Sequence, residues 1–229
     1  MGRKLVALLA IVALPALVSA QVLEDFEHGN MGLYTITNGT LNNMSIVPQA
    51  AHDGNLGAMY TSGTGPMWYL RSDVPTSAGN VYYSYFKFGP SGSVGSGRIY
   101  MGVNGTTSGA ISAVAASNTS QLLIQNNASW GYVTLASVAY TFTIDKWYVL
   151  EMDWAANGDM VARLWDEAYA NKLAETPVAA TGQTGAGGLA LRCYMATTGA
   201  TAYFDTFSRV PEPASLLSLM ALSLVLRRR

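Results

Sequence analysis

The chain has 229 residues, of which 50% are hydrophobic, 10% aromatic and only 12% charged, with a formal net charge of −1. Aromatic and β-branched residues recur along its length, which excludes a disordered stalk. The single cysteine, Cys193, excludes an internal disulfide framework.

Arg3 and Lys4 give a basic start, Leu5 to Val18 is apolar and broken only by Pro15, and Val18-Ser19-Ala20 ends the run with compact residues. That order of basic, apolar and cleavage regions predicts a secretory signal helix over residues 1–20, removed by signal peptidase before Gln21.

Between residues 21 and 209 no long helical period occurs. Short alternating or apolar runs are separated by Gly, Asn, Ser and Pro at intervals of roughly ten residues, the pattern of a sandwich or barrel. The predicted strands are Val22–Phe26, Tyr34–Thr37, Ser45–Pro48, Ala58–Ser62, Trp68–Arg71, Val81–Phe88, Arg98–Asn104 and Ala110–Ala115. They continue with Gln121–Asn126, Tyr132–Ala136, Trp147–Trp154, Met160–Asp166, Gly188–Met195 and Ala202–Arg209. Gly89–Gly97 and Thr181–Gly187 read as loops. In the next-to-last strand Cys193 shares a face with Leu189, Leu191 and Met195, so a buried thiol is expected.

The hairpin near residue 157 predicts its own faces. Tyr148, Leu150, Met152 and Trp154 point to the core, with Trp147, Val149, Glu151 and Asp153 opposite. Setting Trp154 against Ala162 makes Asn157-Gly158-Asp159 a three-residue loop and pairs Asp153 with Arg163 and Glu151 with Trp165.

The chain closes with Val210-Pro211-Glu212-Pro213, thirteen uncharged residues from Ala214 to Leu226, and Arg227, Arg228 and Arg229. As a hydrophobic helix the apolar run would reach about 20 Å, short of a bilayer core of about 30 Å. The terminal arginines favour a cytoplasmic end.

This tail, residues 210–229, resembles the PEP-CTERM sorting signal, in which a Pro-Glu-Pro motif precedes a hydrophobic helix and a basic terminus. The resemblance implies recognition of Val210, Pro211, Glu212 and Pro213 by an exosortase, loss of the tail, and a cell-surface or extracellular-matrix destination among extracellular polysaccharide. It implies membrane contact through the tail alone, before processing. Setting both end segments aside leaves 8 basic and 13 acidic residues in positions 21–209, a net charge near −5. Nucleic acid is excluded as a partner, because phosphate binding needs a cationic face.

Residues 21–209 also resemble the concanavalin-like, laminin-G-like jelly-roll group. The residues that carry this are Glu24-Asp25-Phe26-Glu27 at the start, His52-Asp53-Gly54, Lys146-Trp147-Tyr148 entering the hairpin, and Tyr203-Phe204-Asp205-Thr206-Phe207 at the end. The resemblance implies an all-β fold, a two-sheet antiparallel β-sandwich of jelly-roll type, with first and last strands side by side. It also implies a structural calcium where those strands meet, for which Glu27, Asp53 and Asp205 are the acids in the corresponding places. Calcium takes six to eight oxygen ligands.

Glu151-Met152-Asp153 matches the first two carboxylates of the Glu-x-Asp-x-x-Glu motif of laminarinase-type glucanases. Glycoside cleavage needs two carboxylates flanking the bond, and Ala156 stands where the acid/base Glu belongs. The reading is therefore a non-catalytic exported domain, carbohydrate-binding or structural, with a glycan-cleaving enzyme using Glu151 and Asp153 as the alternative. Candidate ligand contacts are Trp147, Glu151 and Asp153 on the hairpin, with Trp68 and Trp130 near loops, where Tyr69 and Tyr132 also lie. His28 and His52 are too isolated for a zinc site. Asn-x-Ser/Thr triplets at Asn38, Asn43, Asn104, Asn118 and Asn127 predict surface turns.

Overall fold

A computed structural model describes residues 20–38, 43–61, 68–90 and 95–211 of the chain. The predicted signal helix and the tail from Glu212 onward, with Pro213 and the hydrophobic helix, lie outside the described residues. Val210 and Pro211 do not stand apart from the domain: they end its last strand, opposite Val81 and Asn80. Among the described residues no helix is long and apolar enough to cross a membrane.

The strands in chain order are β1 (Gln21–Glu24), β2 (Thr35–Asn38), β3 (Met44–Val47), β4 (Gly57–Thr61), β5 (Trp68–Thr76), β6 (Asn80–Phe88), β7 (Gly97–Thr106) and β8 (Gly109–Ala116). Then follow β9 (Gln121–Asn126), β10 (Val133–Ala139), β11 (Trp147–Trp154), β12 (Asp159–Asp166), β13 (Lys172–Glu175), β14 (Ala179–Ala180), β15 (Gly187–Met195) and β16 (Thr201–Pro211). They form two antiparallel sheets. The first has the order β13-β12-β11-β6-β16-β4-β3, with β1 added on β16 and β14 on β12. The second has the order β10-β9-β8-β7-β15-β5-β2.

The alternation of side chains explains this packing. Tyr82, Phe86 and Phe88 of β6, Tyr148, Leu150 and Met152 of β11, and Phe204 of β16 point inward from the first sheet. Ile99, Met101 and Val103 of β7, Ile124 of β9 and Leu191 and Cys193 of β15 meet them from the second. Each large apolar side chain sealed in this way contributes about 1.5–3 kcal/mol. As expected, Cys193 is buried; burial pushes its thiol well above the usual range.

Each predicted strand is present, and β13 and β14 are additional. β1 stops at Glu24 and not at Phe26, because Phe26 takes a positive φ of 60° and donates its N–H back to the Glu24 carboxylate at 2.7 Å. That carboxylate is buried, accepts a hydrogen bond from the Tyr34 hydroxyl at 2.9 Å, and pairs with Arg71 of β5. β5 runs past Arg71 to Thr76, since Arg71 and Asp73 pair with each other at 2.8 Å and Thr76 Oγ1 bonds the Gly188 carbonyl at 3.1 Å. The first and last strands lie side by side, with Gln21 opposite Arg209.

The hairpin faces are as predicted, but its register is not. Trp154 stands opposite Met160 and Met152 opposite Ala162, so Glu151 faces Arg163, and Asp153 faces Val161. Asp159 belongs to β12. The turn spans residues 155–158, closed by Ala155 N–H to the Asp159 carbonyl at 2.9 Å and Gly158 N–H to the Ala155 carbonyl at 2.9 Å. Gly158 supplies the positive φ of 88°. A two-residue shift keeps every side chain on its face, so hydrophobic patterning cannot separate the two registers; turn length does.

Candidate functional site

The five ligand candidates fall on opposite sides of the sandwich. Trp147, Glu151 and Asp153 lie on the outer face of the first sheet, and Trp68 and Trp130 on the outer face of the second. They cannot serve one site.

On the first sheet the charges satisfy one another. Arg163 Nη1 donates to Glu151 Oε1 at 2.7 Å and Asp153 Oδ2 at 3.0 Å, and its Nε donates to Glu175 at 2.6 Å. Tyr169 caps the other Glu151 oxygen through its hydroxyl. Burial and the Glu151 carboxylate together push the Tyr169 hydroxyl far above its ordinary range. Glu151 is 3% exposed. The predicted ion pair between Asp153 and Arg163 is present, diagonally. Two carboxylates clamped by one guanidinium are not placed to flank a glycosidic bond from opposite sides. Nearby, Trp147 packs edge-on against His52 at 5.1 Å with Lys87 over its ring, and His52 stacks on Tyr85 at 3.8 Å.

The predicted metal acids surround one loop. Glu27 Oε1 accepts the backbone N–H groups of Asn55 at 2.7 Å and Leu56 at 2.9 Å, which lowers its pKa. Asp205 Oδ2 accepts those of His52 at 2.6 Å and Asp53 at 2.8 Å. Burial nevertheless raises the Asp205 carboxyl above its ordinary value. Asp53 points outward beside Glu27, Asp25 and Thr206 at a surface depression. The carboxylate oxygens of Glu27 and Asp205 are thus turned to N–H donors. Among the described residues no group of three or more His, Cys, Asp or Glu stands where it could hold a metal ion. In this arrangement Glu27 and Asp205 brace the loop that carries Asp53.

The outer face of the second sheet is different. Register places Arg192, Tyr100, Val114 and Leu123 in one row across β15, β7, β8 and β9, and Trp68 of β5 lies beside Arg192, its ring 5.9 Å from the guanidinium. Trp68 and Tyr100 are buried there with Leu70, Val114 and Leu123 in a second apolar cluster, on the side of the sheet away from the main core. A short turn at residues 128–130 brings Trp130 over Trp68, ring centroids 5.0 Å apart, and Tyr132 follows at 6.2 Å from Tyr100. Ser129 and Trp130 both carry positive φ, 50° and 58°. Such backbone costs of order 1 kcal/mol per residue and persists only where packing holds it.

Arg192 is the centre of this face. It is 4% exposed, and its guanidinium lies 4.6 Å from the Tyr100 ring, 4.9 Å from Tyr132, 5.7 Å from Tyr194 and 5.9 Å from Trp68. Its Nε and Nη1 are buried with no hydrogen-bond partner, as are Trp68 Nε1 and Gln125 Oε1 on the same face. Burying an ion unpaired costs several kcal/mol. Ring contacts return up to about 2 kcal/mol each when desolvated. They leave the in-plane N–H groups without acceptors. Arg192 also lines a depression of about 270 Å³, together with Arg98, Tyr100, Asn118, Tyr132 and Tyr194. Arg98 Nε is held by Asn118 Oδ1 at 2.9 Å.

Of the residues near loops, Tyr69 is a correction: it points into the main core, while its neighbour Trp68 faces out. Asn127 is another, being fully buried, with its amide bonded to Gly131 and Ser112. Arg192 and Tyr194 escaped the sequence reading, which followed the apolar face of β15. The signal was present in the same alternation, since the positions beside Leu191 and Cys193 must face outward.

No family model matches the chain, and no curated protein matches it. Solved structures do. A carbohydrate-binding module, CBM66 from Bacillus subtilis, superposes with a TM-score of 0.57 at 15% identity over 79% of this chain and 97% of that one. The cellulose induced protein Cip1 gives 0.53 at 15% identity, covering 82% and 95%. A protein of unknown function, SO2946 from Shewanella oneidensis MR-1, gives 0.50 at 16% identity, covering 83% and 86%. At these identities the likeness is one of fold: the chain is a jelly-roll β-sandwich similar to these domains.

Proposed function

We infer that this protein is an exported, non-catalytic β-sandwich that binds carbohydrate on the outer face of its second sheet. One observation carries the reading: unpartnered donors on Arg192 and Trp68 lie beneath the rings of Trp130 and Tyr132, and Tyr132 is 43% exposed. Sugars present apolar ring faces for stacking and hydroxyls for such donors. The fold shared with a carbohydrate-binding module supports it, as does the pairing of Glu151 and Asp153 with Arg163, which leaves the glycan-cleaving alternative without a free acid/base pair.

Affinity electrophoresis of the purified protein through a panel of polysaccharides tests the proposal. Retardation by at least one polymer, lost in Trp130→Ala with Tyr132→Ala, is expected. No retardation by any polymer would leave a structural role.

Export and exosortase sorting complete the proposal and rest on the two terminal segments. Mass spectrometry of the mature protein would show a new N-terminus at Gln21 and loss of the residues after the Pro-Glu-Pro motif. An intact chain retained in the cell would refute this part. The structural calcium stays a proposal of its own, resting on Glu27, Asp53 and Asp205 around one loop. An unchanged melting temperature between chelator and about 1 mM calcium, the range of extracellular modules, would dispose of it.

A further inference from the structure

We propose that the outer face of the second sheet is selective for acidic saccharides, with Arg192 taking the carboxylate of a uronate residue. The inference rests on the carbohydrate reading above and adds the charge of the ligand.

Three observations carry it. The first is the guanidinium itself, nine-tenths buried, with Nε and Nη1 lacking any acceptor while four aromatic rings surround it. Rings satisfy the cation's faces and leave its edges, and a guanidinium edge matches a carboxylate better than any other common saccharide group.

The second is the distribution of acids. The seven strands of the second sheet contain one acidic residue, Asp73, and that residue is paired with Arg71 at 2.8 Å. The depression itself is lined by two arginines, Arg98 and Arg192, with tyrosines and Asn118. Residues 21–209 nevertheless carry 13 acids against 8 bases. A cationic spot on an acidic domain discriminates: the field of the remaining surface repels polyanions that do not dock on it.

The third is size. About 270 Å³ lies just below the usual ~300 Å³ lower end of small-molecule pockets and suits one sugar ring. Neighbouring rings of a chain would lie across Tyr132, which is 43% exposed, and Trp130 beside it.

The experiment measures binding of the purified protein to polygalacturonate, to the same polymer with its carboxyl groups reduced to alcohols, to a sulfated galactan and to polyglutamate. The expected result is binding to polygalacturonate that falls about 10- to 100-fold on carboxyl reduction, as a charge-assisted bond predicts, and weakens with added salt. Arg192→Met should abolish the difference between the two polymers. Arg192→Lys should retain part of it, and Lys172→Ala, which removes a cation from the other sheet, should retain all of it. A melting curve for Arg192→Met confirms that it folds.

Equal binding to the reduced polymer would overturn the acidic selectivity and leave the carbohydrate reading standing. Binding to none of the saccharides would overturn both. Binding to polyglutamate as tight as to polygalacturonate would reassign the site to acidic peptide, and preference for the sulfated galactan would replace the carboxylate with a sulfate ester.

Discussion

Arg163 holds Glu151, Asp153 and Glu175 together, and Glu151 is buried beneath it. Removing the cation strands a desolvated carboxylate with only the Tyr169 hydroxyl, which costs more than the pair gains by forming. Arg163→Met is expected to destabilise the fold by about 3 kcal/mol in urea unfolding. Glu151→Gln, which keeps an acceptor, is expected to cost about 1 kcal/mol. Neither should alter saccharide binding, since both lie on the first sheet and the proposed site lies on the second. Loss of binding in Glu151→Gln would move the site to the other face. Arg192 presents the opposite situation: its charge is buried without an internal partner, so the same Arg-to-Met change would cost less in stability and more in binding.

Among the elements, the β11–β12 hairpin depends on one backbone position. Gly158 has φ 88°, and a Cβ there would lie 2.6 Å from the Gly182 carbonyl carbon and 2.7 Å from Gln183 N. The 181–187 segment crosses this turn, with Thr181 Oγ1 on the Gly158 carbonyl at 2.6 Å and Trp154 Nε1 on the Gln183 carbonyl at 2.7 Å. Gly158→Ala therefore meets both strain and a backbone clash. A loss of about 2 kcal/mol or more is expected in thermal unfolding. An unchanged melting temperature would mean that the crossing segment yields freely. The loop at residues 52–56 is built differently, from carboxylates of Glu27 and Asp205 that reach it from the turn after β1 and from β16. It thus ties the two ends of the domain together.

Charge is divided between the sheets. The first carries Glu24, Glu151, Asp153, Asp159, Asp166, Glu175 and Asp205 in its strands, while the second carries Asp73 alone. Acid stability follows from four carboxylates whose pKa values are lowered in the folded state. A backbone N–H from Asn55 is the main cause at Glu27, the Arg71 side chain at Asp73, the Asn171 side chain at Asp166 and the Lys172 side chain at Glu175. Their contribution is full above the ordinary carboxylate values of 4.5 and 3.8 and is lost as pH falls through the lower folded values. Asp205 acts in the opposite sense: its contribution is present below 3.8 and shrinks as pH rises through its elevated folded value. With four groups against one, the melting temperature should fall as pH drops below about 4. A flat profile from pH 6 to 3 would contradict this balance.

Period-two alternation and turn residues were enough to read an all-β sandwich, the two faces of β11, and the burial of Cys193, because side-chain direction in a strand follows from local geometry. β13 and β14 were not legible, since Lys172–Glu175 and Ala179–Ala180 have no strong pattern and become strands only by pairing with β12. The hairpin register was misjudged by two residues, a shift that leaves every face unchanged. Trp68 and Trp130 could be named as candidates from their place near loops, but not that they stack on each other. Nor could Trp147, Glu151 and Asp153 be seen to face the other way. Which outward side chains meet depends on strand order, which places β15 between β5 and β7 across more than eighty residues of chain. Composition and pattern decide which face of a strand is wet; only long-range pairing decides which wet residues become neighbours, and so whether a buried arginine finds a carboxylate or waits for one.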